Sequence, residues 1–116
     1  MMHLKIGENE LTVKLVDNST TKALKKLLAD GPVTVHMDDF AGMEKGGKLP
    51  VSLPENNEPM NTRAGDVILY QGRTFVIYYG TNSWSLTPLG KIPGATKQGL
   101  LKILGSGSVD VTLSIQ

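Results

Sequence analysis

Hydrophobic and polar residues alternate along much of this chain, and a period of two is typical of β-strands with one buried face. The first two alternating runs cover residues 3–6 and 11–15, and the short Gly-containing connection between them predicts a hairpin. A third run covers residues 33–38, and the most regular one covers residues 109–116. The pattern therefore predicts a domain made mainly of β-strands.

The strands in the middle of the chain have a different pattern. Residues 66–70 and 74–79 are apolar at almost every position, as expected for strands that are covered on both faces. Gly72 lies between them and suits the positive φ of a tight hairpin. Shorter alternating runs at 83–86 and 89–92 bring the prediction to about eight strands.

Two segments have a helical period instead. One helix is predicted between a cap at Asn18 or Ser19 and a stop at Gly31, and a weaker one between a cap at Thr96 and a stop at Gly105. Each carries an apolar, leucine-rich stripe on one face. Two such helices suit a closed β-barrel with one helix at each open end, and closure leaves no exposed strand edge.

Residues 39–64 have no sustained period, and they contain three glycines and three prolines. An irregular connection longer than about 12–15 residues is usually functional or mobile in a compact domain. We therefore predict that this segment is a loop, that it lies over the barrel near residues 79–84, and that a binding site is formed there.

Composition narrows the classes of protein. The chain has 116 residues, of which 40% are hydrophobic and 20% are charged, and its net charge is +1. These values fit one globular domain over residues 1–116 and argue against intrinsic disorder. The balanced charge argues against nucleic-acid or anionic-membrane partners. The absence of cysteine excludes a disulfide framework, a thiolate zinc site and a cysteine nucleophile. No secretory signal or membrane span is visible, so we expect a cytoplasmic protein.

Several short motifs follow one another in a familiar order. They are Phe40-Ala-Gly-Met-Glu-Lys45, the pairs Leu49-Pro50 and Leu53-Pro54, and the segment Asn82-Ser-Trp-Ser85. In these motifs the chain resembles the cyclophilin-like family of small, largely uncharacterised bacterial and archaeal proteins, from about residue 4 to residue 115. The resemblance implies a closed eight-stranded β-barrel with a helix at each end. It implies no particular activity.

Cyclophilins themselves are peptidyl-prolyl isomerases, and their site combines an arginine, a Phe-x-x-x-Gln stretch and a hydrophobic proline pocket. This chain has no such stretch. It has only two arginines, Arg63 at the end of the irregular segment and Arg73 at the predicted hairpin tip. This departure from the pattern argues against the usual isomerase chemistry.

The candidate ligand-binding residues come from the irregular segment and the stretch after residue 78. They are Phe40, Glu44, Arg63, Tyr79, Asn82, Ser83 and Trp84. The only tryptophan, Trp84, suits either a ligand platform or a packing anchor in the core. Asn82 and Ser83 either orient a ligand or make a turn through local hydrogen bonds.

Two charged groups suggest catalytic or metal chemistry, each with a simpler explanation. Glu44 beside Lys45 suits a general base held ionised by a cation, or else an ordinary ion pair. His36 and Asp38 share one face of a strand, but a catalytic zinc needs three protein ligands, and a polar outward face explains both residues. We predict no metal and no cofactor.

Three functions agree with these observations. The first is a non-catalytic binding barrel that holds a peptide segment or a small polar molecule between residues 39–64 and the 79–84 edge. The second is a prolyl isomerase with a non-standard site, in which Arg63 polarises the prolyl nitrogen. The third is an interaction partner of a separate enzyme, since cyclophilin-like domains occur within multidomain enzymes. Self-association also remains open.

Overall fold

The computed structural model describes residues 1–115, which contain nine β-strands and two α-helices. The elements are β1 (Met2–Ile6), β2 (Asn9–Leu15), α1 (Ser19–Ala29), β3 (Val33–Phe40), β4 (Glu44–Lys48), β5 (Glu58–Asn61), β6 (Asp66–Tyr70), β7 (Thr74–Tyr78), β8 (Ser83–Lys91), α2 (Lys97–Leu104) and β9 (Val109–Ile115). Gln116, which the alternating pattern placed in the last strand, lies outside the described residues.

Eight of the strands form a closed antiparallel barrel in the order β2-β1-β9-β3-β4-β7-β6-β8. The barrel closes where β8 returns to β2, with Lys91 opposite Lys14 and Gly90 opposite Leu15. The predicted closed eight-stranded barrel is therefore confirmed. The remaining strand, β5, pairs with β8 alone and lies outside the barrel wall.

The two helices lie at opposite ends of the barrel. Helix α1 joins β2 to β3, and α2 joins β8 to β9. A reciprocal capping pair, Asn18 and Thr21, begins α1, and Thr96 caps α2 through the amide of Gly99. Leucines from both helices are buried in the same interior core: Leu24, Leu28, Leu100 and Leu104. Each contributes about 2 kcal/mol by leaving water, so the helices stabilise the barrel by covering its ends.

The prediction that residues 39–64 form one irregular loop is wrong in part. Strand β4 belongs to the barrel wall between β3 and β7, and β5 is a second strand within the same segment. The sequence Glu-Lys-Gly-Gly-Lys has low intrinsic β-propensity, so the pairing partners on both sides impose the strand. At Gly47 a Cβ atom would lie 2.2 Å from the carbonyl oxygen of His36, so β3 and β4 approach closely there only because the side chain is absent.

The irregular part that remains, residues 49–57, packs at the α1 end of the barrel. Leu49 and Leu53 are buried in the interior core, and their amides donate to carbonyl oxygens of the β6–β7 turn region. The Thr20 hydroxyl donates to the carbonyl oxygen of Pro54. Residues 49–57 are therefore fixed over the end of the barrel.

Strand β8 changes its partner halfway along, so the two short runs predicted at 83–86 and 89–92 are one strand. Residues 83–86 pair with β5, whereas residues 87–91 pair with β6 in the barrel wall. The first half of β8 and all of β5 thus form a two-stranded ribbon. Leu86 of this ribbon packs with Ile68 and Val76, and the cluster they form is separate from the interior core.

Candidate functional site

Strands β6 and β7 carry two apolar faces because successive side chains point to opposite sides of a strand. Val67, Leu69, Phe75 and Ile77 belong to the interior core. The alternate residues, Ile68, Val76 and Tyr78, lie on the outer face and pack against the ribbon. The double-sided apolar pattern of these strands therefore provides an apolar floor outside the barrel as well as a core inside it.

The ribbon does not fill the space above this floor, and a cavity of about 350 Å³ remains. We call it the outer groove. It is lined by Phe40, Glu44, Gly46, Ile68, Tyr70, Thr74, Val76, Tyr78, Asn82, Trp84 and Leu86. Its volume lies within the range of about 300–1,000 Å³ that is usual for small-molecule sites.

Two large aromatic side chains at the groove are open to solvent. Phe40, at the end of β3, is 49% exposed, and Trp84, in the ribbon, is 57% exposed. Of the two interpretations of Trp84, the structure excludes the core anchor and leaves the surface platform. An aromatic side chain that is only half covered in the free protein offers apolar area that a ligand can bury.

A row of polar groups follows the groove from the ribbon to β4. The side-chain amide of Asn82 donates to the hydroxyl of Tyr78 over 3.1 Å, and that hydroxyl donates to the carboxylate of Glu44. Burial raises the pKa of Glu44, and the hydrogen bond from Tyr78 opposes this only in part. Burial also raises the pKa of Tyr78. The groove thus combines an apolar floor with a small set of convergent polar groups.

Lys45 is not the partner of Glu44, so both interpretations of this pair, a general base held ionised by the cation and an ordinary ion pair between the two residues, are wrong. The two residues are consecutive in β4, and their side chains point to opposite faces of the sheet. Lys45 is fully buried inside the barrel, where its Nζ donates to the carbonyl oxygen of Gly107 over 2.5 Å and lies 3.4 Å from the carboxylate of Asp39. The ion pair is structural, and it involves Asp39.

Of the seven candidate residues, four line the outer groove: Phe40, Glu44, Asn82 and Trp84. The other three lie elsewhere. Tyr79 is buried in the interior core, and the Ser83 hydroxyl donates to the Asn61 side chain within the ribbon. Arg63 is exposed in the loop before β6, where its main-chain amide donates to the carboxylate of Asp66.

The two tyrosines of the groove, Tyr70 and Tyr78, are not among the residues predicted from the sequence. Both lie in runs that are apolar on both faces, and such runs do not show which face is turned inward. The signal that the sequence offers is the tyrosine hydroxyl. A buried tyrosine usually needs a hydrogen-bond partner for this group, so a tyrosine in an apolar strand indicates polar groups nearby.

His36 lies on the outer face of β3, away from the groove lining. Its Nδ1 is 2.8 Å from the Asp110 carboxylate, and this hydrogen bond is the main cause of its raised pKa. Within residues 1–115, no three histidine or acidic side chains are grouped so that they could hold a metal ion. The same residues include no helix with the length and hydropathy to span a membrane.

The fold and the groove define the class: a closed antiparallel β-barrel with two end helices and a cavity on its outer face. The sequence model of the Cyclophilin-like family matches residues 4–116, so this chain belongs to the Cyclophilin-like family, as the resemblance implied. No curated protein and no solved structure matches the chain.

Proposed function

We propose that this protein is a non-catalytic binding module and that its ligand, a small molecule or a short peptide segment, occupies the outer groove. The observation that carries the proposal is the placement of two half-exposed aromatic side chains, Phe40 and Trp84, on one cavity. A small domain gains no stability from leaving such side chains half uncovered. A ligand that binds between them buries the apolar surface area that the fold leaves exposed.

The composition of the lining supports a binding role. Ile68, Val76 and Leu86 provide an apolar floor, and the row of Asn82, Tyr78 and Glu44 provides a few polar groups on one side. An apolar pocket with a small number of placed polar groups is the usual arrangement of a site that fixes both the position and the orientation of its ligand.

The isomerase alternative required Arg63 at the site. Arg63 is not part of the groove lining, and neither Lys nor Arg lines the groove in the part of the chain that the structure describes. The groove therefore lacks the cation that the alternative needed to polarise a prolyl nitrogen. A binding role requires no such group.

Trp84 provides the test, because the only tryptophan of the chain lies at the proposed site. We expect its emission to change saturably in a titration with at least one member of a panel of small metabolites and short peptides. The Phe40→Ala variant should weaken that ligand by about tenfold, since it removes one wall of the groove. Val51→Ala is the control: Val51 is 45% exposed but does not line the groove, so its variant should bind as the parent does.

Two results would contradict the proposal. One is an unchanged Trp84 emission together with unchanged amide NMR shifts across the whole panel. The other is a ligand that binds equally well to the parent and to Phe40→Ala, since its site would then lie outside the groove. A protease-coupled assay on an Xaa-Pro peptide tests for catalysis, and we expect the uncatalysed isomerisation rate.

A further inference from the structure

Aromatic residues are unevenly distributed in this molecule. The chain has six of them: one tryptophan, three tyrosines and two phenylalanines. Four line the outer groove, namely Phe40, Tyr70, Tyr78 and Trp84. The other two, Phe75 and Tyr79, are buried in the interior core, where aliphatic side chains provide the rest of the packing. The barrel therefore uses few aromatic side chains for its own packing and places most of them at one partly open site.

The groove also carries charge of one sign. Glu44 is the one carboxylate in its lining, and no basic side chain accompanies it among the lining residues that the structure describes. Aromatic rings add to this asymmetry, because the face of each ring is electronegative and attracts cations. The lining therefore favours a positively charged ligand and disfavours an anionic one.

From these two observations we infer that the ligand of the outer groove is a small organic cation with a substituted ammonium group. The inference rests on the proposed binding function and specifies its ligand. Tyr and Trp rings beside a carboxylate are a known way to hold such cations. The apolar floor of Ile68, Val76 and Leu86 suits the alkyl groups around the nitrogen, whereas a bare ammonium ion would lose its hydration there.

The size of the cavity favours a free small molecule over the side chain of a protein partner. A volume of about 350 Å³ holds a trimethylammonium group together with a short chain. The ribbon covers one side of the floor, since Leu86 packs directly on Ile68, Val76 and Tyr78. A compact ligand fits this partly covered space without displacing the ribbon.

The test compares two probes of the same shape. Choline is one, and the other is its uncharged isostere, in which a tert-butyl group replaces trimethylammonium. Each is titrated into the full-length protein at neutral pH, with Trp84 emission and amide NMR shifts as the readouts. We expect choline to bind with an affinity of about millimolar and at least about fivefold more tightly than the isostere. The largest amide shifts should fall at Gly46, Tyr78 and Trp84.

Variants separate charge from shape. Glu44→Gln keeps the size of the side chain and removes its charge, so it should weaken choline by about tenfold and leave the isostere unchanged. Glu8→Gln is the matched control, because Glu8 is exposed in the β1–β2 turn and does not line the groove. Phe40→Leu keeps an apolar wall without the ring, and it should weaken choline by about threefold with little effect on the isostere.

Each result decides between distinct conclusions. Equal affinity for the two probes, or no effect of Glu44→Gln on choline, would overturn the cation assignment while the groove remained a site for neutral ligands. Binding of neither probe would also overturn it, and the wider panel described above would still decide whether the groove binds anything. A lysine-containing peptide that binds more tightly than choline would contradict the small-molecule assignment. If Glu44→Gln failed to fold, as judged by thermal unfolding, the effect of Phe40→Leu on the two probes would decide.

Discussion

The barrel interior and the outer groove are formed by the same strands, but different parts of the molecule cover their apolar side chains, and a cavity remains only on the outer face of these strands. On β7, Phe75 and Ile77 face an interior that is enclosed by the barrel wall and by a helix at each end. Val76 and Tyr78, on the other face, are covered by a two-stranded ribbon that leaves a cavity of about 350 Å³. One surface is sealed, and the other is open along its edge.

If the outer groove binds a ligand as proposed, this difference assigns stability to the barrel interior and binding to the edge of the groove. A fully enclosed side chain contributes its whole transfer free energy to folding, whereas a half-exposed one contributes only part of it. Phe40 and Trp84 therefore add little to the stability of the free protein, although each presents a large apolar area at the groove. We expect substitutions inside the barrel to change unfolding, and substitutions at the groove edge to change ligand affinity.

The two phenylalanines of the chain test this separation most strongly. Phe75 is fully buried in the interior core, so Phe75→Ala should lower the free energy of unfolding by about 3–5 kcal/mol through lost burial and a new cavity. Phe40 is half exposed, so Phe40→Ala should cost less than about 1 kcal/mol. Urea denaturation of both variants measures the contrast. Similar losses in the two would show that the groove edge is part of the folding core.

Two neighbouring glycines of β4 give a second, smaller contrast. At Gly47 a Cβ atom would lie 2.2 Å from the His36 carbonyl oxygen and 2.7 Å from the Val35 side chain. Gly47→Ala must therefore push β3 and β4 apart, and we expect it to cost about 2 kcal/mol of stability. At Gly46 the nearest atom is 3.3 Å away, on the ring of Phe40, which is open to solvent and able to move.

Gly46→Ala is therefore the matched control for Gly47→Ala. Its stability should change by less than about 1 kcal/mol. Because Gly46 lines the groove, the added methyl group should weaken a groove ligand, and Gly47→Ala should affect affinity much less. Thermal unfolding gives the stability ranking and Trp84 fluorescence gives the affinity ranking. If the same variant had the larger effect in both measurements, stability and ligand affinity would not depend on separate surfaces.

The fold could be predicted where the chain's own pattern specifies the structure. Regular alternation identified β9, and a cap followed by an apolar stripe identified α1, because in both cases local side chains decide what is buried. Strand β4 could not be found in this way. Its residues include no large apolar side chain, and its one enclosed side chain is the charged Lys45, whose orientation depends on pairing with β3 and β7.

The groove could be predicted only in part, and the adjacent residues Tyr78 and Tyr79 show why. Tyr79, one of the seven candidate residues, faces the interior, whereas its neighbour Tyr78, which is not among them, lines the groove. A shift of one residue in a strand exchanges its two faces, and a strand that is apolar on both faces gives no local sign of which is which. Four groove residues could be predicted because they lie in segments of distinctive polar or aromatic composition: Phe40, Glu44, Asn82 and Trp84.

The smallest predicted effect is the contribution of Glu44, the carboxylate of the outer groove, to the pH dependence of stability. Burial gives Glu44 a higher pKa in the folded protein than the ordinary value of 4.5, so the folded state holds this proton more tightly than the unfolded state does. The contribution of Glu44 to stability should therefore be most favourable at low pH. It should decline as the pH rises from about 4.5 through the raised folded pKa.

Glu44→Gln cannot ionise, so its free energy of unfolding should lack this decline and should exceed that of the parent at neutral pH. His36 also loses stability with rising pH, since its folded pKa lies above 6.5, but it is present in both proteins and cancels in their difference. Tyr78→Phe gives an independent check: without the hydrogen bond that lowers the Glu44 pKa, a carboxyl NMR titration should show that pKa rising further. A stability difference between parent and Glu44→Gln that does not vary with pH would mean that Glu44 is as well hydrated as a surface acid, and the ribbon would then not shield the floor of the groove.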